Sequence, residues 1–136
     1  FKGYRHAAVW LGLGSLWNAL FIPLPLLLAE LSIQGLSVSP SVAEPMLLWA
    51  VLADALFNGC LAISMVIMAR TLWTSHRMLG ISGLIIAIPT FLVIGQFHAR
   101  WAADLIGIAG PAWLTWWLIL IWKIRSTAEP SPTTVQ

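Results

Sequence analysis

The apolar positions of this chain fall into four long runs, at residues 7–29, 45–69, 78–97 and 102–124, with short polar breaks between them. Each run reaches the roughly 20 residues a helix needs to cross the hydrocarbon core of a bilayer. None alternates with the period of two that a barrel strand would show. The pattern predicts an all-α, membrane-embedded, up-down four-helix bundle. It forms one domain over residues 1–125, with a Pro/Ser/Thr-rich tail at 126–136 expected to be disordered. The first run follows basic residues, as a secretory leader would. It exceeds the roughly 7–15 apolar residues of such a leader and is read as a retained anchor. Phe1 stands where an initiator Met would, so an upstream piece is expected to have been lost.

Boundary residues sharpen these limits. Ser41-x-x-Glu44 has capping-box spacing ahead of the second run, where hydroxyl and carboxylate can each satisfy an unpaired backbone N–H. Pro45 then falls in the first turn, where its missing N–H does little harm. Segment 31–41, with Gly35 and Pro40, is polar enough to leave the membrane. Ser75 is placed to cap the third helix, and Gly95 to end it as the residue past its C-terminus. Pro23 and Pro25 should bend the far end of the first helix, and Pro89 and Pro111 the third and fourth. Small residues four apart (Ala55 and Gly59, Gly83 and Ala87, Ala103 and Gly107) permit close helix packing in lipid. Ala55, Gly59 and Ala62 share one face.

Composition agrees with the pattern. The 136 residues are 60% hydrophobic and 9% charged, against about 25% charged in soluble domains. Cys60 is the single cysteine, so no intramolecular disulfide forms, and the thiol reads as a small hydrophobe. The placement of charge carries more than its sum. Lys2, Arg5, Arg70, Arg77, Lys123 and Arg125 flank one side of the predicted spans, and Arg100 alone the other. By the positive-inside rule both termini are expected in the cytoplasm, the chain in a bacterial inner membrane, and the turn Gln96–Asp104 outside. The basic residues serve orientation and anionic-lipid contact; nucleic-acid binding has no support.

Polar groups inside the spans are the candidates for chemistry. Asp54 lies well within the second run, with Asn58 one turn further on the same face, and Asn18 sits near the midpoint of the first. An intramembrane carboxylate costs a few kcal/mol, about 2.5–3.5 at a helix centre. The group is therefore either a proton- or ligand-binding position or a buried knot that fixes helix register. The outer turn gathers Gln96, His98, Arg100 and Asp104 at one mouth of the bundle. Arg100 has two options, a local i,i+4 pair with Asp104 or a reach inward to Asp54. As a site, this mouth suits a polar head group, quinone or substrate; otherwise it is a turn and an anchor.

Nine tryptophans divide by depth. Trp10, Trp73 and Trp122 on one side, and Trp49 and Trp101 on the other, fit interfacial belts. Trp17, Trp113, Trp116 and Trp117 lie deeper, either as packing or as a pocket for a flat ligand. His6 and His76 fall at the basic face, outside the helical positions that hold membrane haem. No spacing supplies the three or four converging ligands of a zinc site. No phosphate loop, paired carboxylates or serine elbow is present, so catalysis is not expected. The chain reads as a non-catalytic accessory subunit or homo-oligomer, with no cofactor of its own, whose partners are the bilayer and other membrane subunits. The alternatives are a binding or transport unit centred on Asp54 and Asn58, and a quinone- or haem-contacting subunit of a redox complex.

Overall fold

The computed structural model describes residues 2–97 and 100–128, with the side chains of 2, 96, 97, 100, 103, 127 and 128 left out. Within these residues the chain is entirely helical: α1 (Lys2–Phe21), α2 (Pro23–Ile33), α3 (Pro40–Leu72), α4 (Arg77–Leu92), a 3-10 turn (Val93–Phe97), α5 (Arg100–Asp104) and α6 (Ile106–Ala128). Four stretches are long and apolar enough to cross a membrane: Gly3–Ile33, Pro40–Leu72, Arg77–Gly95 and Ile106–Ser126.

The helix limits depart from the sequence reading, each for a local reason. The first helix does not stop near residue 29. Pro23 interrupts it, the Ile22 N–H closes the last turn of α1 on the Asn18 carbonyl, and α2 carries on to Ile33. Its end is a Schellman motif: the Leu36 N–H reaches the Leu31 carbonyl at 2.9 Å and the Gly35 N–H the Ser32 carbonyl at 3.1 Å. Gly35, at φ 72°, is the one left-handed residue among those described. Gly95 therefore does not play that part; it lies inside the 3-10 turn.

α3 begins at Pro40, not Pro45. A residue before proline is pushed to extended backbone, and Ser39, at φ −63° and ψ 143°, is accordingly the N-cap, with Pro40 in the first turn. The capping box is thus not formed. Ser41 lies inside the helix and pairs its hydroxyl with that of Ser39, while Pro45 sits in the helix interior, where it removes one backbone bond. Ser75 likewise does not cap α4. His76 occupies that position, without a side-chain cap bond. α6 continues to Ala128, into the segment read as a tail; residues 129–136 lie outside the described residues.

Close approach sets the pairing. Gly3 lies against Thr71, Gly14 against Phe57 and Cys60, and the Ser64 hydroxyl donates to the Ala7 carbonyl at 3.0 Å, so α1 runs antiparallel to α3. The α1 residues involved, Tyr4, Ala7, Leu11, Gly14, Asn18 and Phe21, step by three and four and are buried or half-buried, the seam of a left-handed helix pair. Gly80 packs on the Ala69 carbonyl and Gly59 faces Ile94, which makes α4 antiparallel to α3. α6 closes on α4 through Trp116 against Gly83. Leu61, Met65, Met68 and Leu72 of α3 form the centre of the core, with Ala7, Ala87, Trp116 and Leu120 around them. The expected small-residue faces of α3 and α4 are buried, whereas Gly107 has open space around it. Ile85, Ile88, Leu20 and Leu118 point outward, at about 60% exposure each. In lipid such side chains need no protein cover, and packing plus interhelical hydrogen bonds hold the helices together.

Candidate functional site

The α1–α3 register places Asn18 level with Asp54, as the intramembrane polar residues require if they are to meet. The bond of Asn58 is more local than the sequence suggested. Asn58 is buried and turns its amide back along its own helix, donating to the Asp54 carbonyl at 2.8 Å. Asp54 itself is half-buried. Asn18 is half-buried too, and its Oδ1 is fully enclosed without a hydrogen-bond partner among the described residues. A buried carbonyl-type acceptor left unpaired costs about 1–3 kcal/mol, so this atom is the anomaly of the region.

The Gln96–Asp104 mouth is described only in part. His98 and the side chains of Gln96 and Arg100 lie outside the described residues; Asp104 is exposed at the end of α5. Around them the backbone is well packed. Val93 and Ala102 are fully buried, and Gly95 of the 3-10 turn stands against Ala102 of α5. The described parts of the turn are a 3-10 segment and a five-residue helix, with Leu105 breaking α5 from α6. Span 4 therefore starts at Ile106, and Asp104 precedes it.

The deeper tryptophans fall into separate contacts. Trp17 stacks on Phe21 at 5.5 Å, and Phe21 on Trp49 at 5.7 Å, joining α1 to α3. Trp113 meets Phe57 edge-on at 6.4 Å, and Trp116 meets Trp117 edge-on at 5.3 Å. Trp116 is buried and its indole N–H donates to the Leu79 carbonyl of α4 at 2.9 Å. A Cβ on Gly83 would stand 2.6 Å from that ring, so the missing side chain at Gly83 is what admits the indole. Trp117 keeps an enclosed indole N–H with no partner among the described residues. Trp10, Trp49, Trp73, Trp101 and Trp122 are all exposed, and so is Trp17.

At the opposite end the structure assembles something the sequence reading left dispersed. Tyr4, Ser75, His76 and Lys123 line a cleft floored by Leu72, Leu120 and Ile124. A second cleft, lined by His76, Arg77, Met78, Leu79, Ile119 and Lys123, shares His76 and Lys123 with the first. The Arg77 guanidinium sits over Trp73 at 5.8 Å and the Lys123 ammonium over Trp122 at 5.5 Å. Charge near four helix ends was visible in the sequence; that Arg77 and Lys123 share one cleft was not, because it depends on α4–α6 pairing. Among the described residues no three His, Cys, Asp or Glu side chains converge as metal ligands. No protein-family model, curated protein or solved structure matches the chain.

Proposed function

We propose that the chain is a non-catalytic subunit of a membrane assembly, an up-down four-helix bundle with both termini in the cytoplasm, acting through contact with other membrane chains or with copies of itself. The observation that carries this reading is a mismatch of length. Measured from Arg70, α3 rises about 45 Å to Pro40, and from Arg5 the α1–α2 run rises about 42 Å to Ile33. The hydrocarbon core is about 30 Å thick, so with the helices near the membrane normal the α2–α3 end overhangs it, whereas a tilt of about 40° would shorten the overhang to about 2–4 Å. With the helices near the normal, Leu26, Leu27, Leu47 and Leu48 stand about 31–35 Å from the Arg5 and Arg70 level, just past the lipid tails, and are exposed at 47–65%. Beyond the lipid tails, such a leucine patch marks a protein contact. The polar groups of the interior support the same reading, since Ser64 and Trp116 are spent on joining helices.

The test is a charged double variant, Leu27→Glu with Leu48→Glu, compared with the parent by native mass spectrometry from membranes. The expected result is loss of the oligomer or of co-purifying subunits, with a monomer of unchanged helicity remaining. A variant that keeps the parent's assembly state would sink the reading.

A second reading, a binding unit for a small protonatable ligand, is favoured by one observation, the enclosed and unpaired Oδ1 of Asn18 level with Asp54. Counted from Arg70, Asp54 lies about 24 Å along α3, in the outer quarter of the core, where a carboxylate costs less than at the centre.

A further inference from the structure

We infer that the groove between α4 and α6 holds one anionic phospholipid, its phosphate between Arg77 and Lys123 and an acyl chain along the apolar floor. The head end is the cleft of about 330 Å³ that contains His76, Arg77 and Lys123. It shares Leu79 and Ile119 with a longer groove of about 580 Å³ that continues to Ile86, Ile108 and Gly107. Both volumes are in the range of about 300–1,000 Å³ that small-molecule sites occupy. The two hydroxyls in the floor are turned away from a ligand: Ser82 donates to the Leu79 carbonyl at 3.0 Å and Thr115 to the Pro111 carbonyl at 2.8 Å. What remains to face a guest is hydrocarbon.

Charge and length select the occupant. The cations stand at the end of the groove where the basic residues gather. Of the five acidic residues, Glu30, Glu44, Asp54 and Asp104 belong to other parts of the chain, at or towards the opposite ends of the helices, and Glu129 lies outside the described residues. From Lys123 to Ile108, α6 rises about 22 Å, somewhat more than the roughly 15 Å of one leaflet's hydrocarbon. A phosphate at the head therefore leaves room for a full acyl chain below it. Basic pockets between helices on the positive side are suited to phosphate head groups. The inference rests on the membrane-spanning reading, but not on the assembly proposed above.

The experiment is native mass spectrometry of the purified full chain, titrated with dipalmitoyl phosphatidylglycerol or dipalmitoyl phosphatidylcholine. The expected result is one retained phosphatidylglycerol per chain, in preference to phosphatidylcholine. Arg77→Gln with Lys123→Gln should weaken that retention about 25-fold, from roughly fivefold per cation. Gly107→Phe, at a groove-lining position where an added Cβ meets nothing within 4 Å, should fill the deep end of the groove. It should lower retention of the dipalmitoyl lipid and leave dioctanoyl phosphatidylglycerol, which does not reach that depth, unchanged. Equal retention of the two head groups, or a double variant that binds as the parent does, overturns the head site. Unchanged dipalmitoyl retention by Gly107→Phe overturns the groove. The Leu27→Glu, Leu48→Glu monomer should keep its lipid, which separates failure of the assembly reading from failure of this one.

Discussion

Replacing Gly80 with leucine is expected to separate α4 from α3 and lower the thermal midpoint of the purified chain. A Cβ at that position would stand 2.8 Å from the Ala69 carbonyl oxygen. The obstacle is backbone, which cannot rotate aside as a side-chain tip can, so the helices must move apart. Overpacking of this kind costs about 1–3 kcal/mol and sometimes more, and here it also pulls Met68, Ala69 and Leu72 out of contact. Helix propensity works the other way, since leucine gains up to about 1 kcal/mol over glycine in a helix interior. Gly12→Leu calibrates that gain, because a Cβ there meets nothing within 4 Å. The two variants should therefore shift the midpoint in opposite directions, Gly80→Leu down and Gly12→Leu level or up. Scanning fluorimetry in mild detergent reads both. Equal midpoints for Gly80→Leu and the parent would show that α3 and α4 are not packed as described.

The contrast between these glycines shows what can be read from a sequence of this kind. Lipid forces long apolar helices, so the four spans were legible from hydropathy alone, and the grouping of their basic ends followed from charge. The glycines that make contacts were not. Gly12 and Gly14 look alike in sequence, yet one faces open space and the other presses on Phe57 and Cys60, because the partner of a glycine is fixed by register between helices. Proline misled for a related reason. Pro45 was expected in a first helical turn, whereas α3 passes through it, since helices in lipid lose more by exposing backbone than by forgoing a single bond; at Pro23 the first helix is interrupted, and a second carries the run on to Ile33. The Trp116–Leu79 bond spans 37 positions and leaves no local trace. Asn18 is different. The three-four spacing of Tyr4, Ala7, Leu11, Gly14, Asn18 and Phe21 was present in the sequence and puts the asparagine in the seam, where a lone polar residue commonly sets register at some cost in stability.

That seam position makes Asn18→Leu the most discriminating substitution in the chain, because its sign is diagnostic. If the enclosed Oδ1 has no donor in the working protein, leucine removes an unpaired acceptor and fills the same space. The isolated chain should then gain about 1 kcal/mol or more, seen as a higher midpoint, while alternative α1–α3 registers become accessible and cross-links between cysteines placed at Leu11 and Leu61 lose specificity. If a ligand or partner supplies the donor, the same variant should gain stability alone and lose the assembly or the ligand that the parent retains. Asp54→Asn, at the same level of the bundle, completes the comparison. A scaffold role predicts that it alters stability or oligomer distribution together with Asn18→Leu. A binding role predicts an intact fold that no longer takes up its ligand. A drop in midpoint for Asn18→Leu in the isolated chain contradicts both, since it would mean that Oδ1 is already paired inside the bundle.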